Sequence, residues 1–298
     1  MRGWGERPVP AVLVGAVAIA FSGILFRLAH VSASTGAFYR CVWALPPLYV
    51  LAKREGPRPR RARALAWIAG IFFAADLVLW HNAIEQVGAG LATVLGNTQV
   101  VLVGLLAWAI LHERPHRASF IAIPIVGAGV VLISGALERG AYGANPRLGA
   151  VYGVLTGIAY SGFLLTLREG SRDLARPAGP LFDATLASAA GCAAIGGVVG
   201  DLDVTPSWSA QGWLILLALS SQVLGWLLIS RSLPRLPAVV TSILLTLQPV
   251  CSVLFAAALV DENPSALQLV GAACILAGLV TATARRRAPP VPEPELAG

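Results

Sequence analysis

Ten apolar runs, each close to the length that crosses a bilayer, constrain this chain more than any other feature. They fall at approximately 10–28, 35–53, 64–85, 90–111, 118–137, 148–168, 180–200, 210–230, 237–260 and 265–284. A helix needs about 20 apolar residues to span a hydrocarbon layer about 30 Å thick. Barrel strands are about half as long and alternate strictly, so these runs read as helices. Composition agrees: 56% of the 298 residues are hydrophobic and only 12% are charged, against about 25% charged in a soluble domain. The mean hydropathy is +0.73. These values exclude a soluble globular enzyme, a disordered chain and a nucleic-acid binder. The expectation is an all-α integral membrane protein.

The net charge of +7 lies in short clusters between the runs, a pattern that orients membrane proteins rather than one that binds phosphate backbones. Eighteen of the 22 Lys and Arg residues occupy one alternate set of loops and ends, from Arg2 and Arg7 through Lys53–Arg63 to Arg285–Arg287. The other set holds only Arg139 and Arg147, and Arg27 and Arg40 fall inside runs. The positive-inside rule then places both termini in the cytoplasm, which requires an even number of spans. The basic start before the run at Pro10 imitates a secretory signal, but Arg27 interrupts it late and a similar segment recurs mid-chain, so it reads as a mature span. Cys41, Cys192, Cys251 and Cys274 all sit in apolar runs without C-x-x-C spacing and read as free packing residues.

The chain repeats itself. At a shift of 149 residues, Gln99 falls on Gln248, Glu113 on Glu262, Pro115 on Pro264 and Gly129 on Gly278. At 146, Trp67 falls on Trp213 and Trp80 on Trp226; at 139, Ser22-Gly23 falls on Ser161-Gly162. Five spans per copy is an odd number, so the second copy enters the membrane from the opposite side. Inverted repeats place pseudosymmetric surfaces around a midplane cavity that can open to either face, which favours a secondary transporter over a channel or an intramembrane enzyme. The expected organisation is a cytoplasmic N-terminus 1–9, a first repeat 10–137, an external connection 138–147, a second repeat 148–284 and a disordered cytoplasmic tail 285–298. Together these give ten transmembrane helices as two inverted five-helix repeats around a central cavity.

Three stretches, FYRCVWALPP at 38–47, LWHNAIEQVGAGLATVLGNTQVVLVGLLAWAILHERP at 79–115 and LLTLQPVCSVLFAAALVDENP at 244–264, resemble the bacterial drug/metabolite transporter superfamily in its ten-helix EamA-type form. The resemblance covers about residues 10–284. Trp80-His81 in the third run is similar to the aromatic-His pair of YddG-type aromatic amino acid exporters. The resemblance implies export of small amphipathic metabolites from the bacterial cytoplasmic membrane by alternating access, with aromatic amino acids the best single class.

Ionisable and polar residues inside spans are costly and are functional candidates by default. Asp76 precedes Trp80 by four residues and Gln222 precedes Trp226 by four, so each pair shares a helical face. Those faces either line a cavity or make interhelical bonds with the indoles toward lipid. His81, Asn97, Gln99 and Gln248 offer a neutral imidazole and amides to an ammonium or carboxylate, or else they are satisfied core groups. Pro249 frees a carbonyl one turn earlier. Arg27 and Arg40 fall toward the external helix ends, where they either snorkel or pair, with Glu85 available, or contact a substrate carboxylate. Asp183 is open to the same two readings. Ser161 ends the stripe Gly153-x3-Gly157-x3-Ser161, which suits close helix packing or a polar cavity edge.

His112-Glu113-x-x-His116 matches a zinc-peptidase pattern, but Pro115 opposes a helix through it and the repeat partner 261–265 carries no histidine. Glu113 and Glu262 instead suit the positive ends of the helices that follow them. The candidate substrate-binding set is therefore Asp76, Trp80, His81, Asn97, Gln99, Ser161, Gln222, Trp226 and Gln248. No metal, cofactor or catalytic constellation is expected. The partners are a small-molecule substrate and membrane lipid, and not nucleic acid. Exporters of other metabolites or drugs share the pattern, and an intramembrane enzyme is the remaining alternative.

Overall fold

The computed structural model describes residues 8–111, 117–170, 176–232 and 244–283. The His112–His116 motif, most of the 237–246 half of the ninth run and the 285–298 tail lie outside the described residues. The first run becomes α1 (Pro8–Ala20) and α2 (Ser22–Ala29), joined at Phe21; then come α3 (Ala33–Glu55), α4 (Arg60–Val87), and α5 (Ala89–Gly96) with α6 (Gln99–Leu111). The second half holds α7 (Arg117–Ile133), α8 (Pro146–Gly170) and α9 (Ala178–Val199). A composite rod follows, of α10 (Trp208–Leu217), a π-helical segment Ala218–Gly225 and α11 (Trp226–Ser232). It ends with α12 (Leu247–Leu259) and α13 (Ala266–Thr283). Among the described residues, five helical stretches are long and apolar enough to cross a membrane: Val9–Ala29, Arg60–Val87, Pro146–Leu167, Ala178–Val199 and Trp208–Ile229. Shorter apolar helices fill the fourth, fifth, ninth and tenth places.

Contacts follow the internal repeat. The third span (α4) lies along the sixth (α8), and the eighth rod lies along the first. Span two (α3) packs on span seven (α9), span four (α5) on span nine (α12), and span five (α7) on span ten (α13), so each of these pairs maps onto itself when the halves are exchanged.

The equivalent spans run antiparallel, as an inverted repeat demands. Glu55 at the end of α3 accepts from the amides of Ala178 and Gly179 at the start of α9, at 3.1 and 2.8 Å. At the other end, the Asp201 carboxylate after α9 meets the Ser34 amide at 3.4 Å, and Ser32 donates to the Asp201 carbonyl. Each carboxylate thereby sits at the positive end of its partner helix.

Close approach comes from small residues. A Cβ on Gly129 of α7 would lie 2.6 Å from the Gly271 carbonyl oxygen of α13, and one on Gly271 would lie 2.8 Å from the Gly129 oxygen. In lipid, such packing replaces the hydrophobic driving force between helices. Large apolar side chains such as Ile71, Ile121, Leu254 and Val270 point outward, as a lipid-facing surface requires.

Four of the spans are interrupted within the described residues. At Asn97–Thr98 the chain tightens into bonds three residues apart, Thr98 N–H to Leu95 at 3.0 Å and Val100 N–H to Asn97 at 3.1 Å. Its repeat equivalent, Thr246 at a shift of 149, is also a turn before α12. Phe21 bends the first span while keeping its backbone bonds, at 3.2 Å to Val17 and 3.0 Å from Leu25. The fourth interruption is the π-helical segment. The fifth run stops earlier than its hydropathy suggests, since Ser134–Leu137 is a turn.

Candidate functional site

The interruptions surround a cavity at mid-depth with about 530 Å³ of empty space, mouth included. Asp76 and Trp80 reach it from α4, Asn97 from the break in the fourth span, Trp226 from α11 and Gln248 from α12. Both tryptophans of the repeated pair therefore line the interior instead of facing lipid. One wall is an aromatic cluster: Phe163 stacks on Phe73 with centroids 4.5 Å apart, and Tyr160 and Phe163 meet the Trp226 ring edge-on at 6.2 and 5.6 Å. Trp80 stands apart from this cluster, with the Arg40 guanidinium carbon 5.7 Å from its ring centroid.

Four of the sequence-derived candidates do not line the cavity, each for a definable reason. His81 is fully buried, stacked on Phe26 at 3.9 Å with planes 3° apart. Its Nδ1 lies 3.1 Å from the Ala33 carbonyl, an acceptor only, so Nδ1 carries the proton. Adjacent residues on a helix point about 100° apart, and with Trp80 on the cavity His81 necessarily faces α2 and α3. Ser161 donates to the Gly157 carbonyl at 2.7 Å and leans on the Gln99 carbonyl at 3.4 Å. It belongs to the packing of α8 on the fourth span, where Gly153 meets Leu95 and Gly157 meets Thr98. Gln99 contributes its carbonyl to that contact, and Asn97, two residues earlier at the break, takes the cavity position. Gln222 lies in the π-helical segment, whose wider turn abolishes the four-residue register with Trp226. It sits behind the cavity, accepting from Arg40 Nε at 3.1 Å and donating to Thr185 at 3.2 Å.

Arg40 is the site residue that sequence reasoning placed too shallow. It lies seven residues into α3, about 10 Å along the axis, and is only 3% exposed, so it does not snorkel. Glu85 is not its partner: Nε goes to Gln222 and Nη2 donates to Ser221 at 3.2 Å. The signal was present, since an arginine inside an apolar run is costly unless it faces a polar interior.

Beyond Trp80, toward the Glu85 end of the bundle, a second space is lined by Phe26, Arg27, Ile84, Glu85 and Tyr142. Phe26, which lines this second space, stacks on His81, and Phe21 stacks on Phe255 at 4.4 Å. At the rim, Glu262 accepts from the amides of Ala89 and Gly90 at 2.6 and 3.1 Å and pairs with Arg27 at 2.6 Å. Glu262 thus holds the positive end of α5, not of the helix that follows it, and Arg27 pairs with Glu262, not with Glu85. Asp183 pairs with Arg58 at 2.7 Å. The four cysteines are free, and no metal-binding group of three or more acidic, His or Cys residues occurs among the described residues.

The model of the EamA-like transporter family matches residues 7–135 and again residues 147–284. The chain belongs to the EamA-like transporter family. The two matches coincide with the two halves of the inverted repeat, and the family is a ten-helix membrane fold. Proteins of Salmonella typhimurium (strain LT2) and Salmonella newport (strain SL254) described as "Probable 4-amino-4-deoxy-L-arabinose-phosphoundecaprenol flippase subunit ArnE" are 26% identical over 93 residues, 29% of this chain and 84% of theirs. A solved crystal structure with 17% identity superposes with a TM-score of 0.62, covering 95% of this chain and 99% of that one; it shows the shared fold. This EamA-type chain is accordingly a multi-pass membrane transporter of small molecules.

Proposed function

We propose that this EamA-type protein exports small amphipathic metabolites, aromatic amino acids foremost, from the bacterial cytoplasm by alternating access. One observation carries the reading: two indoles and the Tyr160 ring share a mid-depth cavity with Arg40, Asp76, Asn97 and Gln248. Aromatic faces suit stacking on an aromatic side chain. The interrupted spans around it match the discontinuous helices that form midplane sites in transporters built from inverted repeats. The basic asymmetry of the loops supports cytoplasmic termini. The resemblance to YddG-type exporters supports the aromatic class through Trp80 alone, because His81 faces away from the cavity. The likeness to ArnE proteins spans too little of the chain to carry their cargo over.

Uptake by reconstituted vesicles tests the reading. Radiolabelled phenylalanine and tryptophan should accumulate against protein-free controls, and repeating the assay with and without a pH gradient reports whether proton flow drives transport. Absence of aromatic amino acid flux, with other metabolites of a matched panel carried, would replace the aromatic class by another cargo of the same fold.

A further inference from the structure

The cavity holds one buried guanidinium and one buried carboxyl group that do not bond to each other. Arg40 spends Nε on Gln222 and Nη2 on Ser221, leaving Nη1 without a hydrogen bond among the described residues. Asp76, 7% exposed, takes part in no ion pair or hydrogen bond among the described residues. Both line the same cavity. Charges removed from water are costly unless paired, and a direct Arg–Asp pair would satisfy both. The guanidinium bonds instead to Gln222 and Ser221, and Thr185 in turn anchors the Gln222 amide at 3.2 Å.

We propose that Arg40 and Asp76 are the two ends of a zwitterion-recognition site. The free side of the Arg40 fork takes the substrate carboxylate, whose planar geometry it matches, and Asp76 takes the ammonium group. Gln222, Ser221 and Thr185 are positioning residues that keep the two charges apart until a substrate joins them. An amine lacking the carboxylate leaves Arg40 unpaired, and an acid lacking the amine leaves Asp76 unpaired. The cargo class is therefore α-amino acids and equally short zwitterions, discriminated from amines and carboxylic acids with the same side chain. The inference deepens the proposed export function by assigning the charged part of recognition, and it is separable from the aromatic preference.

The test uses the full-length protein in proteoliposomes and two matched triads: phenylalanine, phenethylamine and 3-phenylpropionate; leucine, isoamylamine and 4-methylvalerate. The expected result is an amino acid flux at least about tenfold above that of its amine and acid, the loss of one charge-assisted hydrogen bond being of that size. Arg40→Gln should shift the preference toward the amines and Asp76→Asn toward the acids, while Arg40→Lys keeps the order at lower flux. Gln222→Leu frees the guanidinium to reach Asp76 and should reduce the amino acid preference, a change in selectivity that a purely structural role does not produce. Comparable flux of an amine or acid in the unmodified protein overturns the proposal, as does unaltered selectivity in both charge-neutralised variants. Where a variant cannot be purified as a monodisperse protein, the triads on the unmodified protein decide alone. Carriage of leucine but not phenylalanine overturns the aromatic reading and upholds the zwitterion site, and flux of none of the six overturns both.

Discussion

Arg27 and Glu262, 235 positions apart in sequence, meet at 2.6 Å on the rim of the bundle. The Glu262 side chain is 1% exposed and the Arg27 side chain 35%, and the same carboxylate receives the first amides of α5. One acidic group therefore ties the first span, the fourth span and the connection before the tenth.

Glu262→Gln should loosen that junction. It weakens the Arg27 contact and removes the anion from the positive end of α5, at a cost of about 1–3 kcal/mol for hydrogen bonds to a charged group, limited by the partial exposure of Arg27. A cysteine placed at Ile84, in a background with the four native cysteines replaced, should label faster in this variant than in the parent. Equal labelling rates would show that the junction does not govern access from this side.

Trp80→Ala should lower flux of phenylalanine and tryptophan at matched protein levels. Loss of a stacking face alone is worth about 0.5–1.5 kcal/mol beyond the lost apolar contact, so weakening of three- to tenfold or more is expected. Trp208, 92% exposed, is the control: Trp208→Ala should leave flux close to that of the parent. Equal effects of the two substitutions would remove Trp80 from the binding surface.

His81→Ala should act on stability, not on selectivity. The ring is fully buried, stacked on Phe26 and bonded to Ala33, so truncation leaves a cavity and an unmatched contact worth about 2–4 kcal/mol. The expected reading is a clear drop in the melting temperature of the purified protein with the order of substrates unchanged. A change in substrate order with no loss of stability would return His81 to the binding site.

Arg54, in the last turn of α3, and Arg139, in the connection after α7, are both exposed and belong to opposite sets of basic residues. Single cysteines at these positions should label from opposite sides of the membrane, position 54 from the cytoplasm and position 139 from outside. Labelling of both from one side would contradict the inverted arrangement, and reversed sidedness would overturn the assignment of cytoplasmic termini.

The amino-acid sequence by itself determined the number and order of the spans, because apolar length alone decides whether a helix can leave water. It determined the internal repeat as well, since paired residues such as Gln99 and Gln248 or Trp80 and Trp226 keep constant offsets. It marked the costly polar residues Arg27, Arg40, Asp76 and His81 without assigning their directions. Tertiary structure decided those directions. Trp80 and His81 are neighbours in sequence, yet a helical step of about 100° sends one into the cavity and the other into the core. Gln222 and Trp226 carry a regular α-helical spacing that the π-helical segment Ala218–Gly225 breaks, and the fourth span breaks at Asn97–Thr98 with no proline to announce it. Arg40 found Gln222 and Ser221, 182 and 181 positions away, because the two halves pack together. No local periodicity encodes a partner that only packing across the repeat interface supplies.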